Sequence, residues 1–201
     1  MSVSVSANLN DLIALRDDLK ITPQRLAEIA TQAVNHTALQ ALQNSRKLIV
    51  NQVNLPAQYV EEKTQLQQAT EQNPIAIITA RGRGTQLVRF DSKQIITPAK
   101  NPKKAKGGGP GGIPSGYKAA GVSVNVKRGA ARAELPHGFF MKLRNGNGYG
   151  LFTRSPDGKI RNRYGPSVDQ VFVGVIRDTS PQIAIDLEQD VIARLDGLLG
   201  K

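Results

Sequence analysis

Thr22-Pro23, followed by small and apolar residues at every third or fourth position, constrains this chain more than any other feature. A threonine hydroxyl can accept a free amide of the first turn, and proline suits the first helical position because its missing N–H would have no partner there. The stripe runs from Leu26 through Ile29, Ala30, Ala33, Val34, Thr37, Ala38, Ala41 and Leu42 to Leu48 and Ile49. Spacing of three and four places these side chains along one helix face. A helix from Pro23 to about Val50 is therefore predicted, about 40 Å long at ~1.5 Å per residue. Its alanines let a partner helix or sheet come close. His36, beside the stripe, reads as an ordinary polar residue at the edge of a helix.

Downstream, "LPAQYVEEKTQLQQATEQ" predicts a second helix from Pro56, with Tyr59, Val60, Lys63 and Leu66 along one side. It should end before Asn73-Pro74, because the residue before proline avoids the helical region. The pattern then changes to short β-branched runs. "IAIITARGRG" and "TQLVRFDSKQII" read as two strands and a turn, and "GVSVNVKRG" as a half-buried strand. In "HGFFMKLRNGNGYGLFTR" two strands flank Asn145-Gly146-Asn147-Gly148, a hairpin signal. The aromatics there interleave with Lys142, Arg144 and Arg154. They suit either a single-strand nucleic-acid platform or a core face backed by solvated charge, and the alternation favours core.

"SPDGK" makes a further turn, and "QVFVGVIRD" reads as an apolar strand or extended segment. Ser180-Pro181 repeats the cap-and-proline signal before Ile183, Leu187, Val191, Leu195 and Leu198 at helical steps. The sum is an α+β fold with long N-terminal and C-terminal helices packed on a mostly antiparallel sheet or small barrel. The expected organisation is a single domain over 1–201: a helical part at 22–72, a β-rich part at 74–178 and a C-terminal helix at 180–199.

Charge says more about partners than about fold. The net charge is +11, and Arg81 to Arg163 holds 18 Lys/Arg against 3 Asp/Glu, so the ends are mildly acidic. Segregation of this kind presents a basic surface to a polyanion. At its centre lies "TPAKNPKKAKGGGPGGIPSGYKAAG", residues 97–121, lysine-rich, without an acid and nearly without apolar residues. It cannot build a core of its own. The glycine run lacks the lysine-then-hydroxyl ending of a nucleotide-phosphate loop. Two readings stay open: a mobile solvated insertion, or a flexible basic arm that lies on DNA phosphates or orders on a neighbouring subunit. Lys100, Lys103, Lys104 and Lys106, with Lys118, Lys127 and Arg128 beyond them, are the candidates for facing DNA. Such contact would be nonspecific and salt-sensitive, because it rests on counterion release.

Catalytic signals are few. The chain has no cysteine and only two histidines, His36 and His137. Disulfides, thiolate zinc sites and cysteine nucleophiles are excluded, and no cofactor or metal site is expected. No serine nucleophile elbow is present. Asp91 and Glu134 with nearby lysines are all that a metal-dependent nuclease has to build on, and Asp157 belongs to a Pro-Asp-Gly turn. Neither a leader pattern nor an apolar run of membrane-spanning length appears, which predicts a soluble protein used without export and without a membrane partner. A binding or structural protein is the expected class, with a nonspecific nucleic-acid-binding accessory protein as the alternative to a structural one.

The stretch "GLFTRSPDGKIRNRYGPSVDQVF" resembles the C-terminal half of the lambda-type phage tail completion proteins, the minor tail protein Z family. There an aromatic hairpin ending in a basic "F-x-R" precedes a turn, a basic strand and "YGPSV-x-Q". "RKLIVNQVNLPAQYVEEKTQLQQATEQNPIAIITARG" is similar to the family's N-terminal half, and "HGFFMKL" to its segment before the hairpin. The similarity runs from about residue 25 to 195 and is weakest in the glycine-rich insertion. It implies a virion structural protein with no catalytic residues to carry over, assembled in the host cytoplasm and placed at the head-proximal end of a tail. It further implies a ring of identical subunits, sixfold by analogy with neck components, around the DNA channel. The implied neighbours are the tail terminator, the tail tube and portal-side neck proteins. In this setting Tyr164, Gly165, Pro166 and Ser167 would turn the chain into an edge offered to an adjacent subunit.

Overall fold

A computed structural model describes residues 2–6, 22–144 and 148–199. It divides the chain into two compact units. The first gathers the described residues within Met1–Ile49, Ala57–Gly82 and Val168–Lys201; the second comprises Val50–Pro56 and Arg83–Ser167. The α+β class holds, with long helices at both ends. No barrel closes among the described residues: the strands form four small antiparallel sheets.

In the first unit, helix α1 spans Pro23–Gln52. Its start is capped as the sequence predicts, with the Arg25 amide donating to Thr22 Oγ1 at 3.4 Å and the Leu26 amide to the Thr22 carbonyl at 3.1 Å. The expected stripe is buried except at one position: Ser45 continues it, while Leu48 is 37% exposed. A second short helix, α2 (Ala57–Glu62), stops well before the expected end, and Thr64–Gln67 is strand β2 rather than helix. Arg46 of α1 holds this break, donating to Thr64 Oγ1 at 2.9 Å and to the Thr64 carbonyl at 3.2 Å. Strand β2 pairs with β3 (Ile75–Ala80), which also pairs with β1 (Ser2–Ser6). Asn35 ties α1 to the end of this hairpin, accepting from the Ala69 amide at 2.7 Å and donating to its carbonyl at 3.0 Å.

The final helix, α3, runs unbroken over Val168–Leu199, so the segment expected as a strand at 170–178 is helical. Ser180-Pro181 lies inside it rather than at its start. Proline at 181 cannot donate to the carbonyl of Arg177, four residues back. The Ser180 hydroxyl donates to that carbonyl instead, at 3.3 Å. The same dipeptide thus serves either as a cap or as a repaired interior site, and the apolar run before it continues the helix. Along α1 and α3 the partners run in opposite directions. Leu26, Ile29, Ala30 and Ala33 cluster with Val191 and Leu195, whereas Val34 and Ala38 pack with Val5 and Ala76 and meet Ile183 and Leu187. His36 takes an ordinary edge role, its Nδ1 3.3 Å from Asp190 Oδ2. Among the described residues no helix is long and apolar enough to cross a membrane.

The second unit holds three small sheets. One is β5–β6–β7 (Ser92–Pro98, Tyr117–Val124, Ala133–Leu135), another β8–β9–β10 (Gly138–Lys142, Tyr149–Arg154, Ile160–Asn162). Of the hairpin signal Asn145-Gly146-Asn147-Gly148, the first three residues lie outside the described residues, but the strands on either side pair as expected. The third sheet pairs β4 (Thr85–Gln86) with β11 (Tyr164–Gly165). Phe90, Val122, Val124 and Leu151 are almost fully buried here. Gly165 has no room for a side chain: a β-carbon there would stand 2.7 Å from Cε2 of the buried Phe90 ring.

Two substitutions test these local arguments. Pro181→Ala restores a helical N–H and should raise the unfolding free energy by about 1–3 kcal/mol, read as a higher urea midpoint. Gly165→Ala should lower it by about 1–3 kcal/mol through overpacking against Phe90. Faster amide exchange in Arg83–Ser167 would locate the damage in the second unit. An unchanged midpoint would refute either account.

Candidate nucleic-acid and subunit interface

The second unit carries the charge. Its residues include 17 Lys/Arg and 3 Asp/Glu, a balance of +14, which leaves −3 for the rest of the chain. The boundary between basic and acidic sequence therefore coincides with the boundary between units.

Residues 97–121 are an extension of the β5–β6 ladder with a hydrogen-bond pattern of their own. Pro102–Lys104 forms a 3-10 turn, the Gly116 amide donates to the Ala105 carbonyl at 3.0 Å, and the Ala99 amide to the Gly116 carbonyl at 2.9 Å. At the tip the Gly108 amide donates to the Ile113 carbonyl at 2.6 Å. A β-carbon at Gly107 would collide with the backbone of Ile113–Ser115, so glycine is what lets the two limbs close. Backbone pairing does here what an apolar core does elsewhere.

Of the predicted DNA-facing residues, Lys100, Lys103, Lys104 and Lys106 are exposed on this extension, and Lys118 is exposed at its neck, opposite Thr97. Lys127 and Arg128 sit past the other end of the ladder. There the Arg128 amide donates to the Gln52 carbonyl at 3.0 Å and Val53 bridges to Lys127. A ladder of this length spans about 20 Å at ~3.4 Å per residue, so the seven split into a group of five and a group of two. Among the described residues none of the seven has an acidic side-chain partner.

Two of the three carboxylates of this unit, Asp91 and Asp157, have structural partners. Asp91, at a φ of 25°, forms an ion pair with Arg132, whose guanidinium also donates to the Asp91 carbonyl at 2.5 Å and to Ser123 Oγ and carbonyl at 3.2 Å each. Glu134 is exposed on β7 opposite Ser123. A hydrogen bond with the Ser155 side chain, then one with Lys159, holds the Asp157 carboxyl below its ordinary value within its turn. Among the described residues no cluster of three or more His, Asp or Glu is disposed to hold a metal ion.

Of the four expected interface residues, only Tyr164 is open to solvent, at 58%. Gly165 lies against Phe90, Pro166 is half-buried, and Ser167 is buried immediately before α3. What sequence reasoning missed is the company Tyr164 keeps. Residues directly opposite in an antiparallel ladder share a face. The pairs Phe139↔Phe152, Asn162↔Phe152 and Ile160↔Arg154 therefore define one face of β8–β9–β10. The Phe139 and Phe152 rings stack with centroids 6.3 Å apart, and Asn162 Nδ2 donates to the Tyr164 hydroxyl at 3.2 Å, drawing the tyrosine to this face. Alternation within each strand was legible, but the register across the 155–159 turn that brings these residues to one face was not.

No curated protein and no solved structure matches the chain significantly. A family model does match, over residues 13–198, which is nearly its full length. That family is described as the prophage minor tail protein Z (GPZ). The chain belongs to it, and with it to the minor structural proteins of the phage tail, components of the virion.

Proposed function

We propose that this chain completes the tail at its head-proximal end, forming a ring around the DNA channel and enabling the head to join, with no catalytic step of its own. One observation carries the reading within a tail-protein family: the cationic charge is confined to one unit, +14 against −3. A subunit of a DNA-lined ring needs a cationic module for the lumen and a less charged remainder for its neighbours. The five lysines of the β5–β6 extension supply the first. Those neighbours are further copies of the chain, six by analogy with neck components, together with the tail terminator, the tail tube and portal-side proteins. Tyr164, the exposed member of Tyr164-Gly165-Pro166-Ser167, is the part of that segment that meets an adjacent subunit. Assembly takes place in the host cytoplasm.

Deleting the gene from its parent phage and imaging the lysate tests the role. Filled heads beside full-length tails that fail to join are expected; normal infectious particles would refute completion and leave a nucleic-acid accessory role as the better reading. The DNA contact has its own test. Changing Lys100, Lys103, Lys104 and Lys106 to Ser should reduce the slope of log affinity against log salt by up to about 3–4 on duplex DNA, with no change in sequence preference. An unaltered slope would remove these lysines from the interface.

A further inference from the structure

Among the described residues two surfaces present exposed apolar side chains around a better-buried centre, and their charges are opposite. The first is the outer side of α3. Ile185 is 45% exposed and Ile192 50% exposed, and seven residues is two helical turns, so both project from one side. Glu188 and Asp196 are exposed on the same side, and no basic residue shares it. The core face of this helix, with Leu187, Val191 and Leu195, is turned to α1. The second surface is the face of β8–β9–β10 described above, where Met141 is 38%, Ile160 44% and Tyr164 58% exposed. Arg154 is its exposed cation, and residues 138–165 as a whole hold six Lys/Arg against the single acid Asp157.

We infer that the outer stripe of α3 in one copy of the chain, Ile185 and Ile192 flanked by Glu188 and Asp196, docks on the Met141–Ile160–Tyr164 face of a second copy. The dimensions agree. The two isoleucines lie about 10 Å apart along the helix, and Ile160 and Tyr164 about 13 Å apart along extended chain. The charges agree as well, since the acidic flanks of the stripe meet Arg154 and the basic surroundings of the sheet. DNA fits this sheet face less well, because phosphate contact calls for several cations and apolar side chains occupy most of it. A contact between unlike patches is heterologous, the kind that builds a ring when its repeated rotation closes on the first copy. The inference rests on the ring reading above and names the two faces that would make the ring.

The test uses two full-length variants and analytical ultracentrifugation, with circular dichroism to confirm folding. Ile185→Asp with Ile192→Asp spoils the stripe; Ile160→Asp with Tyr164→Asp spoils the sheet face. Each variant alone should be monomeric, its self-association weakened about a hundredfold, as expected when central apolar anchors are lost. Mixed in equal amounts they should form a one-to-one dimer and nothing larger, because one intact stripe and one intact face remain. A charge exchange guards against misfolding: Glu188→Lys should weaken association about fivefold, and Arg154→Glu in the same chain should recover it.

Either apolar variant assembling like the unaltered protein would overturn the pairing while leaving the ring intact. So would a mixture that stays monomeric, or a sheet variant that loses DNA binding and not self-association. An unaltered protein that never self-associates would instead remove the ring reading, and this pairing with it.

Discussion

The close approach that α1 allows is what the first unit is built on. Ala30, Ala33, Ala38 and Ala41 are all at most 5% exposed, and they sit where larger side chains would hold neighbours away. With small residues along the contact, α3 reaches one end of the stripe through Val191 and Leu195, and Val5 and Ala76 of the sheet reach the middle. Packing at this density gains many weak contacts per residue and leaves little tolerance for added volume. The hydrogen-bonded ties at Asn35 and Arg46 then fix how the strands leave the helix. Each of those ties satisfies backbone groups at a place where regular structure stops.

The second unit is organised differently. It lies between two parts of the first in sequence, and it relies on short ladders, one close glycine–aromatic contact and a four-bond guanidinium clamp at Arg132. With few large apolar residues available, backbone pairing and local polar contacts carry much of the specification. This economy leaves the exposed surface free to be cationic. It also explains how an acid-poor module can hold together: Asp91 and Asp157 are spent on Arg132 and Lys159, and Arg163 donates to the buried Thr153 hydroxyl at 2.7 Å.

Legibility in the sequence followed the nature of the signal. Helix α1 was readable from its cap and its period, and the β8–β9 pairing from alternating residues. Helix α3 was only half readable, because valine-rich helix and buried strand look alike over eight or nine residues, and because Ser180-Pro181 imitates a beginning. Strand β2 was hidden for the opposite reason: "TQLQ" has no strong preference, and the Arg46 contacts that hold it come from a helix eighteen residues earlier. The order within 97–121 left little side-chain signature, since amides and carbonyls make most of it, with Ser115 Oγ donating to the Ala105 carbonyl and Gly107 leaving room for the limbs to close. For the candidate interface, the charges could be counted in advance. Their division between the two ends of a ladder, and the meeting of Tyr164 with Asn162 on one sheet face, depend on register that the sequence does not print.

The pairing of α1 with α3 also sets an order of events at the ribosome. Leu26 finds Leu195 only after all the residues between them have been made, so the stripe of α1 stays partly uncovered throughout synthesis of the strands between. Residues 83–167 are complete by then, and most of their ladders join neighbours in sequence, the exception being β4 with β11. Translation of α3 both closes the core and brings its acidic outer side into being. A chain whose synthesis has not yet reached α3 therefore carries its cationic unit already made, while the acidic helix that covers the stripe of α1 is still missing.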